Sequence, residues 1–156
     1  MAAISHSEAA RIRHHVAIKT FPWAELENAR ALALGMQNRG YRLVAGGTDN
    51  HMVLVDLSKT GLTGRKATDL LENVGITVNK NLIPFDPKPA SEASGIRIGS
   101  PALTSRRMRE PEMEQICDLI HKTLEAPEDA EVKENVAAQV RELCEAYPLY
   151  QRSYHM

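Results

Sequence analysis

The stretch Gly75–Thr104, GITVNKNLIPFDPKPASEASGIRIGSPALT, limits what this chain can fold into more than any other segment. Two short strand-like pieces, Ile76–Asn79 and Gly95–Gly99, bracket a loop rich in Pro, Ser and Asp. A structureless connection of about fifteen residues is long for a compact domain and is usually retained for a use. At its exit Arg97 stands between two isoleucines and two glycines. Strand side chains alternate sides, so Ile96 and Ile98 face one way and Arg97 the other, with Gly95 and Gly99 leaving its face uncrowded. If the isoleucines face the core, a rigid strand presents a planar guanidinium suited to a carboxylate or phosphate. The competing reading is an arginine in a structural ion pair or on a solvated edge strand.

The rest of the chain supplies elements that can cover such a strand. Residues 5–20 are predicted helical, with Ser5 and Glu8 as a capping box and a thin apolar face. Pro22 breaks that helix. A second helix runs from about Pro22 to Asn38, with Trp23, Leu26, Ala29, Ala33 and Met36 on one stripe and Gly40 as its C′ residue. Tyr41–Val44 reads as a short strand, and Ala45–Asn50 as a turn. His51–Leu57 is the strongest strand, and its near-continuous apolar run suggests a central position in an antiparallel hairpin. Thr63 is placed to cap a helix ending near Asn73, with Gly75 beyond it. Thr104 or Ser105 is expected to cap a turn before a helix over about Glu110–Leu124, with Pro111 in its first turn. A last helix covers about Asp129–Ala146, stopped by Pro148.

No βαβαβ series is long enough for a doubly wound nucleotide fold. The expected class is α/β (α+β): a small, mainly antiparallel sheet of three to four strands with helices on one face. The expected division is an N-terminal helix or interdomain segment over residues 1–21 and one domain over residues 22–156.

Composition excludes several function classes. A net charge of −1 gives no attraction for nucleic acid or an anionic membrane, and 4% aromatic residues cannot supply base-stacking platforms. No apolar run approaches the roughly 20 residues that span a bilayer. Cys117 and Cys144 fall on helical patterns without a CxxC unit, so the chain reads as a reduced, cytoplasmic protein. Cys117 is most simply a small core residue. The Gly46–Gly47 turn leads into a strand, whereas a phosphate cradle opens a helix. Asp49–His51 has no nucleophile beside it and reads as a hydrogen-bonded turn. His14 and His15 point apart on a helix and have no ligand at i+4, so no metal site is expected. What remains is a donor cluster, Asn81, Lys80 and Arg97, near one strand edge.

Those residues sit in text that resembles the C-terminal region of the serine hydroxymethyltransferases. The similarity runs through Gly40–Val44, Gly46–His51, Val55–Leu57 and Gly61–Gly64. It continues through Gly75–Asn81, Ile83–Pro87, Ser94–Gly99 and Pro101–Thr104 to Glu142–Cys144 and Tyr147–Tyr150. Collinear similarity covers roughly residues 24–150, and the first twenty or so residues do not join it. The family interconverts serine and glycine with pyridoxal phosphate, and tetrahydrofolate carries the one-carbon unit. The resemblance implies the small C-terminal domain of fold-type I pyridoxal-phosphate enzymes. It assigns Arg97 to the substrate carboxylate, Asn81 to the folate pterin, and Lys80 to the neighbourhood of the folate.

Three positions depart from the family's pattern. Ser100 and Ser105 stand where threonine is frequent. Arg107 stands where glycine is usual, which puts the turn after Thr104 in question. The Thr-rich His-Lys segment that carries the cofactor lysine in the family is not found in these 156 residues. The chain is therefore expected to be inactive alone and to assign no catalytic or cofactor-binding residue of its own. Its expected partners are the large pyridoxal-phosphate domain, serine or glycine, folate, and a second copy of itself. The alternative is a stand-alone interaction or regulatory module that docks on a full-length enzyme or binds folate or amino acid weakly.

Overall fold

A computed structural model describes residues 23–149. The predicted helix over residues 5–20, the segment 1–21 and the histidine pair His14–His15 lie outside the described residues. Helix α1 occupies residues 23–38. It is followed by β1 (Arg42–Leu43), β2 (Met52–Asp56), α2 (Gly64–Asn73), β3 (Asn79–Asn81), β4 (Gly95–Gly99), α3 (Pro101–Ser105), α4 (Glu110–Glu125) and α5 (Ala130–Ala146). The described residues thus form an α/β fold in which helices pack on a small antiparallel sheet.

The strands lie in the order β1-β2-β4-β3, and every pair is antiparallel. β2 and β4 are the two interior strands, as the apolar run of residues 51–57 predicted for the first of them. On one face Leu43, Val53, Val55, Ile96 and Ile98 are buried and share a core with Leu32 and Met36 of α1, Ala67 and Leu71 of α2, and Met113 and Ile120 of α4. Full burial of one such aliphatic side chain is worth about 1.5–3 kcal/mol, so this face carries much of the folding energy.

Several local signals act where the sequence placed them. The Thr63 hydroxyl accepts from Lys66 N–H at 3.1 Å and caps α2. Gly40 and Gly75 close α1 and α2 in the left-handed region, at φ 85° and 86°. Asp129, expected as the first residue of the last helix, is its N-cap instead, accepting from the Glu131 and Val132 amides, each at 3.0 Å. Cys117 is buried, donates to Leu32 O at 3.4 Å, and burial pushes its thiol up to about 12, so it is an inert core residue. The 45–50 turn is a hydrogen-bonded one, built by Thr48, whose hydroxyl donates to Met52 O at 2.6 Å, and by Asn50, whose side-chain oxygen accepts from Met52 N–H at 2.8 Å.

Other expectations need correction. Trp23 is not on the buried stripe of α1 but is 62% exposed. Two helical turns separate it from Arg30, which is also exposed, so the residue lies on the outer side with Arg30 and Leu34. The buried stripe runs through Asn28, Ala29, Leu32, Ala33 and Met36 instead. The strand expected over Ile76–Asn79 forms only from Asn79, because β4 runs into Ser100–Pro101 just beyond Gly99 and leaves little strand for residues 76–78 to pair with. Lys80 and Asn81, expected in the loop, are consequently strand residues with Asn79.

Thr104 caps nothing. It lies inside the short helix α3, buried, with its hydroxyl donating to Ser100 O and accepting from Asn28 Nδ2, each at 2.9 Å. Arg109 is the N-cap residue of α4, and its amide donates to the Glu112 carboxylate at 2.7 Å. The turn after Thr104 survives the glycine-to-arginine departure: Arg107 itself adopts φ 67°, a conformation that costs a non-glycine residue roughly 1–2 kcal/mol.

Candidate functional site

The open face of the sheet follows from the register. Arg97 pairs with Leu54 on β2 and Asn79 on β3, while Gly95 pairs with Asp56 and Asn81. Paired residues share a face, and so do residues two apart along a strand. Arg97, Asn79, Asn81, Leu54, Asp56 and Arg42 therefore stand on the side away from the helices. Lys80 pairs with Ile96. Its side chain leaves β3 toward the opposite side of the sheet, so the sheet separates it from Arg97 and Asn81.

Two arginines share this open face, and they differ. Arg42 is committed to the Asp56 carboxylate. Burial pushes that carboxyl up, but hydrogen bonds from Ser58 and the Arg42 guanidinium outweigh it and hold Asp56 below the usual carboxylate range. Arg97 is exposed and has no hydrogen-bond or ion-pair partner among the described residues. β4 is also an interior strand, held by β2 on one side and β3 on the other. Among the described residues no ion pair involves Arg97, and its strand is not an edge strand. An interior ladder fixes its backbone, and no described residue occupies its donor fork.

Gly95 is required by close approach. A Cβ there would come within 2.8 Å of Val55 O, 2.9 Å of Ile83 Cγ2 and 3.1 Å of Asn81 O. Asn81 is half-buried beside it, with Nδ2 donating to Leu82 O at 2.7 Å. Its register places it on the Arg97 side of the sheet.

The long connection is ordered by one carboxylate that sequence reasoning passed over. Asp86 accepts from Ile83 N–H (3.2 Å), Lys88 N–H (2.9 Å), Ser94 N–H (2.8 Å) and the Ser94 hydroxyl (2.7 Å). Partial burial pushes its carboxyl up, but these bonds prevail and hold it at about 2. The Asp-Pro pair and the serine at the loop's end were the available signal, since Asp bonds its own backbone two residues on. The far end of the loop docks on α2, whose Gly64 and Arg65 amides donate to Ala93 O and Glu92 O at 3.0 and 2.9 Å. The clamp leaves Phe85 fully exposed, at φ 57°.

The described residues do not fit pyridoxal phosphate. A cofactor Schiff base calls for a lysine whose amine is held in an enclosed pocket, with the ring's electron sink supplied by protein. None of the described lysines is buried. The one His-Lys pair in the sequence, His121–Lys122, lies on α4 without a threonine run before it. Lys122 is exposed there and bound to Asp118 at 2.7 Å. No group of His, Cys, Asp and Glu able to hold a metal ion occurs among the described residues. No helix among them is long and apolar enough to cross a membrane.

Residues 2–120 match the family model described as Serine hydroxymethyltransferase. The matched span takes in the N-terminal residues that the collinear similarity had left out. It contains the whole sheet and the loop, and it ends inside α4, ahead of α5.

Proposed function

The chain belongs to the serine hydroxymethyltransferase family, and on that premise we propose that it supplies the substrate-carboxylate wall of a hydroxymethyl-transfer site. The cofactor-holding wall of that site lies outside these residues. The observation that carries this reading is the state of Arg97: on an interior strand, exposed, and unpaired among the described residues, on a face where Arg42 of β1 is already neutralised. A guanidinium so placed binds the carboxylate of serine or glycine through two parallel hydrogen bonds. Asn79 is its cross-strand neighbour on that face.

Asn81, two residues along β3, offers an amide to the pterin of tetrahydrofolate. Lys80 leaves the strand on the other side, so its contribution to folate is a charge at the strand's edge, not a shared contact with Arg97. The exposed Trp23 and Leu34 on the outer side of α1 support a reading in which another polypeptide surface covers that side, the large domain or a second copy.

The test is reconstitution with a polypeptide carrying the cofactor lysine. The chain alone should neither attach pyridoxal phosphate covalently nor turn over serine. The reconstituted enzyme should do both, and Arg97→Ala should weaken serine binding about ten- to a hundredfold, the loss of a charge-assisted bond worth ~1.5–3 kcal/mol. Unchanged serine affinity in that variant removes the assignment.

A further inference from the structure

A recess lies on the helix-covered side of the sheet. It opens between β4, the Gly75–Val78 segment, α3, α4 and α5, and has a volume of about 210 Å³. Its walls are apolar: Ile76, Val78, Ile98, Leu119, Val140 and Leu143. Protein interiors are packed nearly as densely as organic crystals, and an apolar void of ~150 Å³ already accepts benzene. This one has room for a ring with a short tail.

The rim carries one charge. Arg106 lines the recess and is half-buried. Its Nη1 donates to Tyr147 O at 2.9 Å and Cys144 O at 3.5 Å, and no carboxylate pairs with it among the described residues. Two carbonyls occupy one nitrogen, and a guanidinium has five donors in a fixed fork. Arg106 also borders a polar recess on its far side, which Ser105 and Arg107 line as well. An apolar hollow and an arginine on its lining that no described carboxylate neutralises together match a molecule with a hydrophobic body and one anionic end.

We propose that this recess is a binding site for a small apolar carboxylate, its body against Ile98 and Leu143 and its carboxylate on Arg106. The recess includes none of Arg97, Asn79 and Asn81, and it does not depend on the function proposed for that face.

The test is titration of the full chain with 3-phenylpropanoate, its neutral alcohol 3-phenylpropan-1-ol, and acetate, followed by ligand-detected NMR and by the rate of Cys144 alkylation at the rim. The carboxylate should bind most tightly, acetate should not bind, and alkylation of Cys144 should slow on saturation. Arg106→Gln should abolish the preference for the carboxylate, about tenfold or more, and Arg106→Lys should retain part of it. Ala102→Leu, at an exposed rim position, should weaken acid and alcohol alike, and Arg97→Ala should change neither. If Arg106→Gln fails to fold, Ala102→Leu and the Cys144 protection decide the matter. Absence of binding by the folded chain, binding indifferent to Ala102→Leu, or binding lost in Arg97→Ala overturns the proposal.

Discussion

β4 has two sides, and they do different work. Ile96 and Ile98 point into a core shared by α1, α2, α4 and α5, where Ile96 is fully buried. Arg97, between them, stands on the opposite face and spends no donor on a described residue. Stability is concentrated on one face of the sheet and the candidate chemistry on the other, so substitutions of adjacent residues should separate the two properties cleanly. Gly95 is the exception: it lies in the register of the open face, yet the loop's Ile83 and the Asn81 carbonyl press against it.

The largest effect expected is on the core side. Ile96→Ala should destabilise the fold by about 2–5 kcal/mol in denaturant titration, through lost transfer energy and the cavity left behind. A loss below 1 kcal/mol would show that the helix-facing side does not carry the stability assigned to it. Next, Gly95→Ala should cost about 1–3 kcal/mol through overpacking, because two of its three close neighbours are backbone oxygens that cannot rotate away. Arg97→Ala should alter stability by no more than about 0.5 kcal/mol, as for a surface side chain that holds nothing in the free chain. A larger loss would mean that Arg97 supports the fold, and the contrast between the two sides would fail.

The smallest effect is confined to the loop. The Asp86 carboxyl lies below its ordinary value of 3.8, at about 2 in the folded chain. A depressed carboxylate stabilises above its unfolded value and loses that contribution as pH falls from 3.8 through about 2. Amide exchange at Lys88 and Ser94 should therefore accelerate in that window while the amides of β4 stay protected. Asp86→Asn should remove the pH dependence. Exchange that is flat across the window in the unaltered chain would show that Asp86 is not the loop's clamp.

Much of this architecture is legible in local chemistry. Thr63, Asp129, Gly40 and Gly75 act as caps and stops because their signals depend on backbone geometry within a few residues. The Gly-Ile-Arg-Ile-Gly strand is equally plain, since period-two alternation specifies opposite faces whatever the strand pairs with. Legibility fails where register or distant packing decides. Trp23 looks apolar enough for the core, but its angular position on α1 places it outward. Asn28 looks like a surface residue, yet it is buried between Thr104 and the Met108 carbonyl, with its side-chain oxygen unpartnered. The grouping of Lys80 with Arg97 is reasonable from proximity in sequence. Pairing of Lys80 with Ile96 sends it to the other side, because a strand's faces are set by the residue opposite.

By itself, then, the sequence determined the kind of elements, their ends, and the family's pattern across the sheet. Those properties arise from interactions between near neighbours in the chain or from motifs readable as text. Only the tertiary structure decided that β4 is interior, that Asp56 neutralises Arg42, and that an apolar hollow lined in part by an arginine lies behind the sheet. Each of these depends on which distant segments meet, and pairing energies between distant segments are not written in any one stretch of the chain.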